Sequence, residues 1–146
     1  MNLKTIGILL TFVVLQACGA KQNAKIENTT VSNVDWRIHD IFVGIKINGE
    51  KLERRDEMPR FEINLNTMEV FGNNGCNQFN GKITSVTEKK IAFSGMAMTR
   101  KMCQDMVIPA KFDQALQATA SYKFEDLLLT LYDKEGKQLI SFLKVD

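Results

Sequence analysis

Histidine is almost absent from this chain, and proline, cysteine and tryptophan are scarce: one His, two Pro, three Cys and one Trp among 146 residues. The lone His39 lies far upstream of Cys76 and Cys103. A Cys–His metal site is therefore short of its fourth ligand, and a thiol enzyme would have to borrow its base from that same distant residue. Neither sign of charge dominates. A net charge of +2, with lysines not gathered into a stripe, offers no footprint for nucleic acid. Long apolar runs are missing too: residues 6–14 are too short for a spanning helix, even extended through Ala17. Gly72-Asn73-Asn74-Gly75 has the glycines of a phosphate cradle but not the following Lys-Ser/Thr, and it opens no βαβ unit. Glu62, Glu69 and Asp105 have no distinctive spacing for paired-carboxylate hydrolysis. No internal repeat argues for a second domain. No cofactor, metal or catalytic residue is expected.

What is present is ordinary for one globular domain behind a leader, with 45% hydrophobic and 25% charged residues. A body of this size buries about two-thirds of its extended surface, so neither a disulfide nor a metal is required for folding. Asn2 and Lys4 precede the apolar run of residues 6–14, the shape of a secretory signal peptide. The run ends in Leu15-Gln16-Ala17-Cys18-Gly19, which closely resembles the lipobox of bacterial lipoproteins. That resemblance implies lipidation of Cys18, with residues 1–17 removed and a membrane held through the acyl chains, each buried methylene contributing about 0.8 kcal/mol. Residue 19 is Gly, not Asp, so nothing resembles the inner-membrane retention signal of enterobacterial lipoproteins. The polar residues 18–32 read as a lipidated tether, with an edge strand over 26–31 as the alternative. Residues 33–146 read as the domain.

Period-two alternation dominates that domain. Trp36 and Ile38 are expected on one face of a first strand, with a bulge or turn near His39-Asp40. Ile41, Val43, Ile45 and Ile47 alternate with Phe42, Gly44 and Lys46. Asn48-Gly49 signals a type I′ hairpin before a weak partner strand. Phe61, Ile63 and Leu65 form a strand with one wet face, and the next strand, with Met68 and Val70, is expected to end at Gly72. Residues 72–80 are too rich in Gly and Asn for regular structure. Strands are expected over 78–87 and around Ile91 and Phe93. Residues 108–120 give the one convincing helix, with Pro109 in its first turn and a stripe of Phe112, Ala115, Leu116 and Thr119. Tyr122 and Phe124 start another strand. Leu127, Leu129 and Leu131 share a face of the next, and Lys134-Glu135-Gly136 turns into the closing strand over 139–143. The sum is an α+β fold.

Met96, Met98, Met102 and Met106 invite a soft-metal reading, but flexible methionines filling a core gap under a loop are the simpler account. Cys76 and Cys103 are either a disulfide, which an oxidising compartment would allow, or two buried free thiols.

The stretch V-F-G-N-N-G-C-N-Q-F-N-G at 70–81, together with Ala97-Met98-Thr99 and Met102-Cys103, resembles the META/HslJ family. Gly72, Gly75, Cys76, Asn77, Phe79 and Gly81 match its first segment, and Thr99, Met102 and Cys103 its second. Lys101-Met102-Cys103 departs from it, since an alanine before the cysteine is usual. Trp36 resembles the family's early tryptophan. The resemblance implies a strongly curved antiparallel sheet, like a cracked barrel, with one packed helix. It also implies a heat-inducible or stress-linked, often lipidated envelope protein, with no catalytic residues to carry over. The expected role is non-enzymatic: stress tolerance or envelope assembly at a membrane, the outer membrane's periplasmic side, with a lipid or peptide segment in an apolar groove between sheet and helix. An inhibitor or adaptor acting through an exposed loop, at residues 54–58 or 100–106, is the alternative; a hydrolase is a further one. The partners expected are a hydrophobic ligand or another envelope protein.

Overall fold

The computed structural model describes residues 30–31, 33–53 and 57–145. The expected signal peptide, Cys18, most of the expected tether and residues 54–56 lie outside the described residues.

Ten strands, one α-helix and a 3-10 turn make up the described chain. The strands are β1 (Thr30–Val31), β2 (Ile41–Ile47), β3 (Glu50–Lys51), β4 (Arg60–Asn64) and β5 (Glu69–Asn73), then β6 (Gln78–Val86), β7 (Ile91–Met98), β8 (Ser121–Glu125), β9 (Leu128–Tyr132) and β10 (Gln138–Val145). Helix α1 spans Val107–Ala118. Eight strands curl in the antiparallel order β7-β6-β5-β4-β2-β10-β9-β8. The short β3 pairs with β2, and β1 adds to β6 in parallel. The two outer strands meet at one point, where the Tyr122 amide donates to the Lys89 carbonyl (2.8 Å) and the Ile91 amide to the Ala120 carbonyl (3.4 Å). Past that bridge the edge of β7 away from β6 has no strand beside it among the described residues, so the barrel is cracked on one side. The expected α+β class and curled sheet are what the chain forms.

Glycine and bulges produce the curl. Between Asn80 and Lys82 one residue of β6, Gly81, faces two of β7, Gly95 and Met96. Gly95 takes φ +60°, and a side chain on Gly81 would run into the Met96 sulfur. Gly72 lies closer still to a neighbour, because a Cβ there would overlap the Arg60 carbonyl oxygen. Asn48 and Gly49, at φ 51° and 83°, make the expected hairpin.

The core is aromatic at its centre. Phe61 stacks on Phe142 with ring centroids 5.2 Å apart, and Phe112 of α1 meets Phe142 edge-on at 6.0 Å and Phe79 at 5.6 Å. Phe42, Phe61, Phe112 and Phe142 are all fully buried. Ring pairs of this geometry contribute about 1 kcal/mol beyond the area they bury. The helix presents its expected stripe inward, with Phe112, Ala115, Leu116 and Thr119 all buried. Thr119 ends it, its hydroxyl donating to the Ala115 carbonyl at 3.0 Å.

Four expectations fail. Trp36 and Ile38 lie in a 3-10 turn, not a strand, because the Asp35 side chain accepts the Arg37 amide and starts a turn; Ile38 is buried and Trp36 exposed. In β2 Phe42 faces the core while Ile41 and Val43 face outward. A register shift opposite Ser141/Phe142 lets Phe42 and Ile47, an odd number of positions apart, both point inward. Residues 72–80 are mostly regular, since β5 runs to Asn73 and β6 starts at Gln78, leaving only residues 74–77 as a turn. Leu127 is not on the strand face of Leu129 and Leu131 but in the β8–β9 turn, at φ 68°. Residues 30–31 form β1, within the edge strand over 26–31 that is the alternative to a tether there.

The two glycines give a test. Gly72→Ala should cost about 3 kcal/mol, since its obstacle is backbone, and Gly81→Ala about 1 kcal/mol, since the flexible Met96 can withdraw. Urea midpoints of the two variants read the difference; equal losses would show that Met96 is as fixed as the backbone.

Candidate functional site

Two asparagines at the turn between β5 and β6 organise one end of the sheet. Asn74 is fully buried. Its Oδ1 accepts the amides of Cys76 (3.1 Å) and Asn77 (2.7 Å), an Asx turn that closes the hairpin locally. Its Nδ2 donates to Asp113 Oδ1 on α1 at 2.9 Å. Asn77, also buried, reaches across to the segment after β7. Its Oδ1 accepts the Lys101 amide (2.6 Å) and the Thr99 hydroxyl (3.0 Å), and its Nδ2 donates to the Lys101 carbonyl (3.4 Å). The Thr99 hydroxyl oxygen in turn accepts the Gln78 amide at 3.1 Å.

Cys76 and Cys103 form a disulfide, with Cα atoms 6.0 Å apart. Closing a loop of this length stabilises the fold by about 3.5 kcal/mol on the chain-entropy account. The segment 99–106 is thus held by Thr99, by the Lys101 backbone and by a covalent bond. At its far end the Met106 sulfur accepts the Cys103 amide at 3.5 Å, and Asp105 accepts the Val107 amide at 2.8 Å as α1 begins. Between these anchors Met102 is 88% exposed, the most exposed large apolar side chain of the described residues. Arg100 and Lys101 beside it are exposed too.

The loop borders two depressions on the outer face of the sheet. One, of about 720 Å³, is floored by Ile41, Glu62, Phe71 and Asn80 and reaches Thr99. The other, of about 540 Å³, lies among Val43, Met58 and Lys101. Arg60, Asn73 and Gln78 line both. This placement corrects the expected apolar groove between sheet and helix: the space beneath α1 is filled by Phe112, Ala115 and Leu116 packed into the buried cluster with Phe79 and Phe142.

The signature residues fall into place as structure. Gly72, Gly75, Cys76, Asn77, Phe79, Gly81, Thr99 and Cys103 surround this turn, its disulfide and the bulge above it, while Met102 points away. The methionines divide: Met96 and Met98 pack on the core and Met102 does not. His39 lies at the opposite end of the sheet, where its Nδ1 accepts the Leu65 amide at 3.3 Å. Glu69 pairs with Lys82. Among the described residues no group of three or more His, Cys, Asp or Glu could hold a metal. Asn74 and Asp113 went unrecognised from sequence; an Asn within a Gly-rich turn was the only signal. Burial pushes the Asp113 carboxyl up, and the hydrogen bond from Asn74 draws it partly back.

A curled sheet with one packed helix and a disulfide-held loop defines a small α+β domain. The model of the META domain matches residues 29–146, and the chain belongs to that family. No curated protein is significantly similar to it. Among solved structures it is similar to one described as "NMR structure of the protein", with 24% identity over 73% of this chain and 89% of the other, at a TM-score of 0.59. It is also similar to a DUF4847 family protein from Bacteroides vulgatus, with 17% identity over 60% of this chain and 61% of the other, at a TM-score of 0.45. The first likeness is one of fold.

Two variants test the site's energetics. Asn77→Ala leaves the Lys101 amide and the Thr99 hydroxyl without their acceptor and should cost about 3 kcal/mol in a urea titration. Asp113→Asn keeps an acceptor for Asn74. The raised carboxyl of Asp113 binds its proton more tightly folded than unfolded, so its contribution falls as pH climbs from the ordinary 3.8 through the raised folded value. Asp113→Asn should therefore be the more stable protein at pH 7, and its advantage should shrink away below about pH 3.8; a constant advantage at every pH would contradict this.

Proposed function

We propose that this is a non-enzymatic, lipid-anchored protein of the cell envelope, on the periplasmic side of the outer membrane. It serves stress tolerance or envelope assembly by engaging a partner protein through the loop at 99–106. The observation that carries this reading is the contrast within that loop: three anchors fix its backbone, yet Met102 is 88% exposed and follows two exposed cations, Arg100 and Lys101. A loop held rigid before binding loses little entropy on contact, and an exposed flexible thioether suits an apolar pocket on a partner. The adjoining depressions offer both apolar floor (Ile41, Phe71) and polar wall (Arg60, Asn73, Gln78), suited to an extended peptide segment. The adaptor reading thereby gains over the enclosed lipid groove. The joined thiols and the distance of His39 from them favour binding over thiol chemistry.

A photo-crosslinking residue at position 102 tests it in intact cells, with position 135, in an exposed turn, as control. Position 102 should give a discrete protein adduct, lost when Cys76 and Cys103 are both changed to Ser; position 135 should not. Equal labelling from both positions, or none from 102, would overturn the reading.

A further inference from the structure

The end of the sheet away from that loop carries a second feature. Three turns meet there, β4–β5, β6–β7 and β8–β9, together with the segment 33–40 that covers the opening. The chain enters the domain at this end, where Thr30 and Val31 pair with Ser85 and Val86. Of the seven exposed large apolar side chains among the described residues, Val31 (51%), Trp36 (59%) and Leu127 (55%) lie at this end, with Leu143 on the adjoining flank.

Two of these residues are unexpected on local grounds. Leu127 occupies the second central position of a tight β-turn at φ 68°, where glycine or asparagine fits and a leucine is strained. An exposed leucine in that conformation gains nothing from the core. Trp36 is held outward on a 3-10 turn fixed by Asp35, its ring stacked near His39 at 6.3 Å, while the neighbouring Arg37 lies over Phe124 at 5.2 Å. Charges here are largely paired off: Asp35 with Arg37 (2.6 Å), Asp40 with Lys144 (2.6 Å) and Glu125 with Lys123 (2.9 Å). The adjoining turns add Glu88 and Asp126 and, in equal number, Lys89 and Lys90.

We propose that this end of the sheet, through Trp36, Leu127 and Val31, rests on the interface of the bilayer that holds the acyl chains of Cys18. The inference depends on the lipidation reading above. From Cys18 to Thr30 the chain can reach at most about 40 Å, and Thr30 is held beside Ser85 at this end. Tryptophan and leucine are the side chains that settle at the headgroup boundary. With the charges paired, the contact is apolar and insensitive to salt. The loop at 99–106 then points away from the membrane, toward soluble or opposing partners.

Trp36 is the only tryptophan, so its fluorescence reads the contact directly. The full-length protein, made in a bacterial host and extracted from its membranes, is reconstituted into phosphatidylethanolamine/phosphatidylglycerol vesicles with and without brominated acyl chains. Mass spectrometry of the N-terminal peptide reads acylation of Cys18. Expected are at least twofold quenching of Trp36 by the brominated lipid, unchanged at high salt, and shielding from acrylamide. Leu127→Asn, which suits the turn's backbone and so keeps the fold, should at least halve the brominated-lipid quenching. Acylated protein whose Trp36 ignores brominated lipid and meets acrylamide freely overturns the proposal. Unacylated Cys18 would instead sink the anchoring reading; its thiol is then coupled to a maleimide lipid in the same vesicles, where the same two quenchers decide the docking surface.

Discussion

One buried amide, that of Asn77, ties together segments far apart in sequence. Its oxygen and nitrogen serve the Lys101 backbone and the Thr99 hydroxyl, which in turn holds the first amide of β6. Asn77 itself is buried, so its amide would be costly to strand. Asn74 does the same work inward, binding its own turn and the carboxyl of Asp113 on the helix. The disulfide then locks an arrangement whose hydrogen bonds are already complete. Every buried side-chain polar atom of the described residues finds a partner.

The polar knot sits directly over the aromatic cluster. Gly72, Cys76 and Phe79 follow one another around the turn, so the backbone that presents the asparagines also delivers Phe79 to Phe61 and Phe112. Gly72 must be bare because the Arg60 carbonyl occupies the place of its side chain. Curvature, core and loop thus share a few residues. A Gly-, Asn- and Cys-dense segment here reflects that geometric crowding.

Much of this was legible locally. The strand at Phe61-Ile63-Leu65, the Asn48-Gly49 hairpin, the Gly136 turn and the helix stripe of Phe112, Ala115 and Leu116 each carry their own signal of period or turn chemistry. What was not legible depends on contacts made across the chain. Ile41, Val43 and Ile45 outnumber Phe42 as an apolar face, and only the bulge opposite β10 decides that Phe42 goes inside. The 3-10 turn at Trp36 depends on Asp35 competing for a nearby amide. Leu127 extends an apolar alternation that continues through Leu129 and Leu131, and nothing in that pattern says that it turns the corner. Asn74 and Asn77 read as turn formers; their reach to Asp113 and Lys101 exists only once β7 and α1 are in place.

The position of β10 has a consequence for how the molecule comes together. This strand, Gln138–Val145, lies between β2 and β9, so the sheet's early strands and its β8–β9 hairpin are joined through the last strand of the described residues. Until residues 138–145 are available, β2 lacks its longest neighbour and the aromatic centre lacks Phe142. Pairings so distant in sequence form slowly and late. A chain delivered from its N-terminus would therefore remain without a finished core until residues 138–145 had arrived.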